Sequence, residues 1–440
     1  MIEKIFQNKF LFISIFIIIG YLGTFPFFPK IFGVLSVVIP VVIIFASKNK
    51  GEEALLFSCY MVGCEVFIRM IGGFYLYETS KYAIILFLLT GIFFGEFKQR
   101  FSLNFIFYLM LLMLGIIFTK VPEGESLRKE IIFNLSGPIV LGVAGFYFNG
   151  RPISSKKIID SLFLMLLPIF SIVTFLYFRT PDLAEIIFRG SANFETSGGF
   201  GPNQVATVIG IGIFIITIFL ILKQKLTGFI LLDYLFLVYF IFRGLLTFSR
   251  GGIISSIIAI IAFAILYLIY KKISFGIFFK YTLTILFFSV SVWLYTSNLT
   301  GGMLENRYIG VNIRGVEKDI TAGRAKIFMA QFDNFLANPL GIGVGNGKYE
   351  RKYSDNRITE ASHNEVGRLL EEHGYIGLVL FLLLLFTPLF NFFRSNNYQR
   401  AFIISFYFLW ILTISHSAMR IALPGFIYAL SLIIITDIDE

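Results

Sequence analysis

The sequence predicts an all-α polytopic membrane protein of about 14 transmembrane helices, a single integral membrane domain over residues 1–440 with one large polar loop, 298–374, inside it. Composition is the first reason. Hydrophobic residues make up 57% of the chain, charged residues only 15%, and phenylalanine alone fills 55 positions, more apolar surface than a water-soluble domain of this length can hide. Segmentation is the second, because the apolar residues fall into runs of about the length a helix needs to cross the hydrocarbon. No run alternates like a β-barrel strand, and helices satisfy their own backbone in lipid. The third is the interruption between Asn298 and Gly374, a polar stretch far longer than an ordinary connection and therefore a candidate for function.

Taken in order, the apolar runs lie near residues 9–25, 31–47, 54–72, 82–97, 102–119, 131–148, 160–178, 203–222, 228–247, 251–270, 278–296, 374–393, 401–415 and 419–436. Lys and Arg excess marks cytoplasmic connections. With Lys4 and Lys9 inside, alternate connections carry Lys48 and Lys50, Lys98 and Arg100, Arg151 with Lys156 and Lys157, Lys223 and Lys225, Lys271 with Lys272 and Lys280, and Arg394 with Arg400. The alternation continues through every predicted span and places both termini in the cytoplasm. The first run lacks a small-residue cleavage site and reads as a span, not a removed signal peptide.

This topology accounts for most of the net charge of +10, so the basic balance gives no reason to invoke nucleic acid. It also places the polar inventory on the opposite face: Arg179, Arg189, the segment Ser197 to Gln204, Arg250, the 298–374 loop, and His416 with Arg420. All three histidines fall there. Chemistry on that face has no nucleotide supply, so a glycosyl or phosphoryl donor would have to arrive on a lipid carrier. Cys59 and Cys64, five residues apart in one predicted span, do not face each other well enough for a disulfide.

Within the loop, Thr321 can cap a helix whose Phe328, Phe332, Phe335 and Leu336 form an apolar stripe, lying on the membrane surface or on the bundle. It stops at Asn338-Pro339. The glycine-rich stretch Gly341 to Gly347 reads as a structural turn or a phosphate contact; it follows a helix and lacks the Lys-Ser/Thr ending of nucleotide loops. Ser362-His363-Asn364-Glu365 has the capping-box pattern, with Ser362 as N-cap of a helix running to Gly374. His363 would then open the helix, where the dipole favours a neutral imidazole and the free N–H groups attract an anion. The other reading is an exposed first-turn residue.

Arg250, in Thr247-Phe248-Ser249-Arg250-Gly251-Gly252, stands at the outer end of one run. It is either a snorkelling anchor or a forked ligand for a diphosphate, with Gly251 and Gly252 permitting close approach of a ligand. Arg189 and Arg324 invite the same comparison. Arg243, inside a run, is a functional candidate as an intramembrane charge. Glu65 and Arg69, four apart, suit a structural pair.

Several segments occur in a telling order: Arg189 to Ala206 with Gly201-Pro202-Asn203-Gln204, Thr247 to Gly252, Gly323-Arg324-Ala325, Asn338 to Gly343, and Ser362-His363-Asn364-Glu365 followed by Glu372 to Gly377. Together they resemble the bacterial O-antigen ligase and O-antigen polymerase superfamily, over roughly residues 185–390. The resemblance implies a GT-C-like glycosyltransferase of the bacterial inner membrane, with its active site facing the periplasm. It would move a glycan from an undecaprenyl-diphosphate donor to lipid A-core or to a lipid-linked glycan acceptor. It further implies that Arg250 and Arg324 hold the donor diphosphate and that His363 acts as base or orients the acceptor hydroxyl. Arg189, Asn203, Arg243 and Asn364 are the accompanying substrate-binding candidates.

No cofactor or metal is expected. The first outer loop, Gly23 to Lys30, has no carboxylate, the Asp437-Ile438-Asp439 motif falls at the cytoplasmic tail, and the histidines lack zinc spacing. A transporter or flippase for lipid-linked glycans is the rival class. Few intramembrane charges and no internal repeat argue against it.

Overall fold

The computed structural model describes residues 2–95, 102–183, 185–188, 191–272, 275–311, 316–317, 319, 321, 323–353 and 362–436, leaving aside the side chains of residues 2–4, 275, 277–282, 284 and 285. The helices are α1 (Ile2–Gln7), α2 (Lys9–Leu22), α3 (Phe28–Ser47), α4 (Glu53–Met70), α5 (Thr79–Phe94), α6 (Leu103–Leu114), α7 (Leu127–Phe148), α8 (Ser155–Arg179), α9 (Pro202–Ile221), α10 (Ile230–Leu246), α11 (Arg250–Lys271), α12 (Phe275–Leu299), α13 (Met303–Ile309), α14 (Arg324–Ala337), α15 (Gly347–Tyr353), α16 (Glu365–Arg394), α17 (Asn397–Ser417) and α18 (Leu423–Leu430). The strands β1 (Pro152–Ser154) and β2 (Ile434–Thr436) pair in parallel, with Ile153 opposite Ile435.

The protein is an all-α, multi-pass membrane protein apart from that short pairing. Among the described residues, seven helices, α3, α7, α8, α9, α11, α16 and α17, are long and apolar enough to cross a membrane, which corrects the expectation of about 14. An apolar run does not measure the helix it becomes. The run near 9–25 yields α2, whose 14 residues reach only about 21 Å at about 1.5 Å per residue, against a hydrocarbon core of about 30 Å. The run near 102–119 breaks into α6 and a 3₁₀ turn, Gly115–Phe118. Helix α4 carries Glu53, Glu65 and Arg69, and the last run gives the eight-residue α18 before the chain turns into β2.

Helix α8 is buried along nearly its whole length and forms the centre of the larger core, with α2, α4 and α9 against it. Small residues permit those approaches: a side chain at Gly20 or Gly63 would overlap the backbone carbonyl of Ser171 or Met165 of α8. A second core joins α6, α7, α16, α17 and α18. A third, smaller one joins Phe248, Leu245 and Leu246 to Phe188, Val292 and Leu304.

One end of the bundle is stitched by polar contacts. Arg69 at the end of α4 donates to the Arg420 carbonyl at 3.1 Å, and Arg243 in α10 donates to Thr180 Oγ1 at 2.7 Å. Thr196 Oγ1 donates to the Leu246 carbonyl, and the Asn193 amide to the Thr247 carbonyl. The connections that held the candidate residues in sequence meet at this end. Cys59 and Cys64 are buried free thiols.

Candidate functional site

Helix α11 begins at Arg250, and its N-cap Ser249 donates its hydroxyl to Asn203 Oδ1 at 2.8 Å. Asn203 therefore fastens the start of α9 to the residue before Arg250. Phe248 holds a positive φ of 55°, is buried, and stacks on Phe188 at 5.1 Å. Gly251 and Gly252 serve packing: a side chain on Gly252 would strike the α9 backbone at Ala206 and Thr207, and one on Gly251 would overlap the His416 ring. The expectation that this pair clears the way for a ligand is corrected accordingly. Gly251→Ala should cost about 1–3 kcal/mol through overpacking. An unaltered thermal unfolding midpoint in detergent would refute that contact.

The chain returns across this end through α13. Arg307 Nε donates to the Phe248 carbonyl at 3.1 Å, and Arg250 Nη1 reaches toward the Tyr308 carbonyl at 3.5 Å. Arg324 opens α14. Burial lowers the Arg307 guanidinium pKa, and the charges of Arg250 and Arg324 lower it further. Arg324 is lowered in the same way, by burial first and by Arg250 second. Burial pushes the Tyr308 phenol up to about 12, with Arg250 and Arg307 pulling the other way. Three arginines from separate elements thus share one electrostatic field, and among the described residues no carboxylate forms a salt bridge with Arg307 or Arg324. Such an arrangement can hold an anion with several oxygens.

Helix α14 starts later than the sequence suggested. Asp319, not Thr321, organises the turn before it, accepting from the Thr321 and Gly323 amides at 2.8 Å each; those bonds, with the Thr321 hydroxyl first, depress its pKa. Thr321 Oγ1 makes only a long contact, 3.4 Å, with the Ala325 amide. The buried face is Ile327, Ala330, Gln331 and Phe335, while Phe332 and Leu336 of the expected stripe are exposed. Gln331 and Asn334 anchor the helix to Glu371 of α16 at 3.1 and 2.8 Å.

The glycine-rich stretch is a structural turn. Its Ile342 and Gly343 amides bond to the Glu371 and Glu372 carbonyls, Val344 to Thr119 Oγ1 at 2.9 Å, and Gly345 to Glu372 Oε1 at 3.0 Å. These amides are consumed by protein. The turn packs into the break of α16 at Gly374, φ 57°, where a side chain would overlap the Pro339 carbonyl.

His363 lies before α16, not inside it. Asn364 is the N-cap, accepting from the Gly367 amide at 3.0 Å, and Ser362 closes a local turn onto the Asn364 backbone. The helix-dipole argument for His363 therefore lapses, and Asn364 is a capping residue in this structure. Glu365, the expected capping-box acid, is buried against Arg368 and accepts from the Met419 amide at 3.0 Å. The His363 carbonyl accepts from the Ala418 amide at 2.9 Å. This ties His363 to the segment that carries His416.

Arg307 and His416 are the two members of this cluster that no motif indicated. His416 Nδ1 sits 2.7 Å from the Leu412 carbonyl, which can only accept, so Nδ1 carries the proton and Nε2 holds a lone pair. That Nε2 is buried, lies against Gly251 and has no hydrogen-bond partner among the described residues. The sequence offered only a histidine on the expected outer face. Arg243, by contrast, is buried and bonds to Thr180 and the Thr196 carbonyl of its own chain. Arg189, Asp437, Ile438 and Asp439 lie outside the described residues.

Residues 235–382 match the Wzy_C family model, described as O-antigen ligase. Over this stretch the chain is similar to the O-antigen ligase family. The matched stretch holds Arg243, Arg250, Arg307, Arg324 and His363, and begins after Asn203. Among curated proteins, none matches the chain. This similarity and the multi-pass architecture agree with lipid-linked glycan transfer in general terms.

Proposed function

We propose that the protein is a glycosyltransferase of the bacterial inner membrane, its site facing the periplasm. It transfers a glycan from an undecaprenyl-diphosphate donor to an acceptor hydroxyl in surface polysaccharide assembly. The observation that carries this reading is the convergence of Arg250, Arg307 and Arg324 from α11, α13 and α14 on one field. Their charges oppose the negative charge that grows on the diphosphate as it leaves. The acceptor oxygen attacks the anomeric carbon and forms the new C–O bond while the bond from that carbon to the diphosphate oxygen breaks. The electron pair leaves with the diphosphate, and the hydroxyl proton passes to the His363 imidazole. Direct displacement inverts the anomeric centre.

With arginines opposing the diphosphate charge, no divalent ion is needed for that role. The purified protein, given a lipid-diphosphate-linked glycan and acceptor in EDTA, should form product with inverted anomeric configuration by NMR. Retained configuration, or abolition by EDTA with rescue by Mg²⁺ or Mn²⁺, would overturn the mechanism. Ligase and repeat-unit polymerase differ in acceptor. In a deletion strain, uncapped core marks loss of a ligase, and core capped with single repeats marks loss of a polymerase.

A further inference from the structure

Four charged side chains are buried away from the arginine cluster, in and beside α4 and α5. Glu65 and Lys81 are fully buried, and Arg69 and Glu78 are no more than 5% exposed. Arg69 Nη2 joins Glu65 Oε1 at 2.7 Å and Glu78 Oε2 at 3.0 Å, while Lys81 joins Glu78 at 2.8 Å and donates to Ser136 at 3.0 Å. Burying such a network carries a desolvation cost that its own attraction barely offsets, so a gain in stability is a weak reason for it.

Its contacts supply another. Glu65 Oε2 accepts from the Ala422 amide at 2.6 Å, and Arg69 Nη1 donates to the Arg420 carbonyl at 3.1 Å. Both grip the turn between α17 and α18. The opposite side of the same turn holds the His363 segment: the Ala418 amide donates to the His363 carbonyl at 2.9 Å, Arg420 Nη2 to the Ser362 carbonyl at 2.8 Å, and the Met419 amide to Glu365. Ala418 itself adopts φ 24°, which a residue with a side chain holds only when its surroundings impose it.

We infer that Glu65 and Arg69 are positioning residues for His363, acting through the 418–422 turn. This rests on the catalytic role proposed above for His363. The ion network fixes the turn, the turn fixes the His363 backbone, and the ring is thereby held toward the acceptor hydroxyl. None of these groups touches the donor, so the effect falls on turnover and not on donor binding.

The full-length protein in proteoliposomes, with a lipid-diphosphate-linked glycan and acceptor, tests this. Glu65→Ala should lower kcat about tenfold or more with donor KM within about twofold, and Glu65→Gln, which keeps an oxygen for the Ala422 amide, should recover most of the loss. Ala422→Pro removes that N–H at a residue whose φ is −67°, suited to proline, and should reproduce the kcat loss even if Glu65→Ala fails to fold. In a His363→Ala background, Glu65→Ala should cost less than about twofold more, because the two act as a unit. Full, independent losses from both changes would overturn the positioning role alone. A His363→Ala protein with wild-type turnover would overturn the role of His363 and the inference with it.

Discussion

Replacing Arg324 or Arg250 with alanine is expected to lower glycan transfer on the order of 100- to 1000-fold, the usual effect of removing one preorganised donor from a developing anion. Arg324 leads because burial and Arg250 already destabilise its charge in the free protein, as the depressed pKa records. An arriving diphosphate relieves that repulsion, so the site is poised for an anion. Arg250→Lys and Arg324→Lys keep the charge but lose the planar fork, and should recover only part of the activity. Arg307→Ala should cost less than either, because its Nε is engaged by the Phe248 carbonyl. The measurement is the transfer rate of each variant in proteoliposomes beside its unfolding midpoint. Activity within threefold of wild type for Arg324→Ala would remove the arginine cluster from the mechanism.

The sequence made the membrane class legible because composition alone decides it, and it singled out Arg250, Arg324 and His363 as candidates because each lies in a short motif that resembles the O-antigen ligase superfamily. Helix number was not legible. Glu65 and Arg69 sit inside an apolar run, and Gly115 ends α6 early, so hydropathy overstated the helices that cross. The cap of α16 was misread by two residues because Ser362 and Asn364 are both capping types; only the backbone tells that Asn364 caps and His363 stands outside. Gly251 and Gly252 read equally as a ligand approach or a packing contact, and the identity of the neighbour, His416 from α17, is a tertiary fact. Arg307 escaped for the same reason. Its meaning comes from Phe248 and Arg250, well apart in sequence and joined only when α13 folds back.

The second large effect is on stability. Glu371, 1% exposed, accepts from Arg351 of α15 at 2.6 and 2.8 Å and from Gln331 and Asn334 of α14. One carboxylate thus fastens two loop helices to the start of α16. Glu371→Ala should cost about 3–5 kcal/mol, the range for breaking a buried pair by removing one partner. Glu371→Gln, which keeps one acceptor oxygen, should cost less. The loss should concentrate in α14, whose amides should exchange faster with deuterium while those of α8 stay protected. An unfolding midpoint within about 2 °C of wild type, with unchanged exchange in α14, would remove Glu371 from this role. Because Arg324 rides on α14, Glu371→Ala should lose transfer and stability together, whereas Arg324→Ala should lose transfer alone. That contrast separates a residue that touches the diphosphate from one that holds the helix in place.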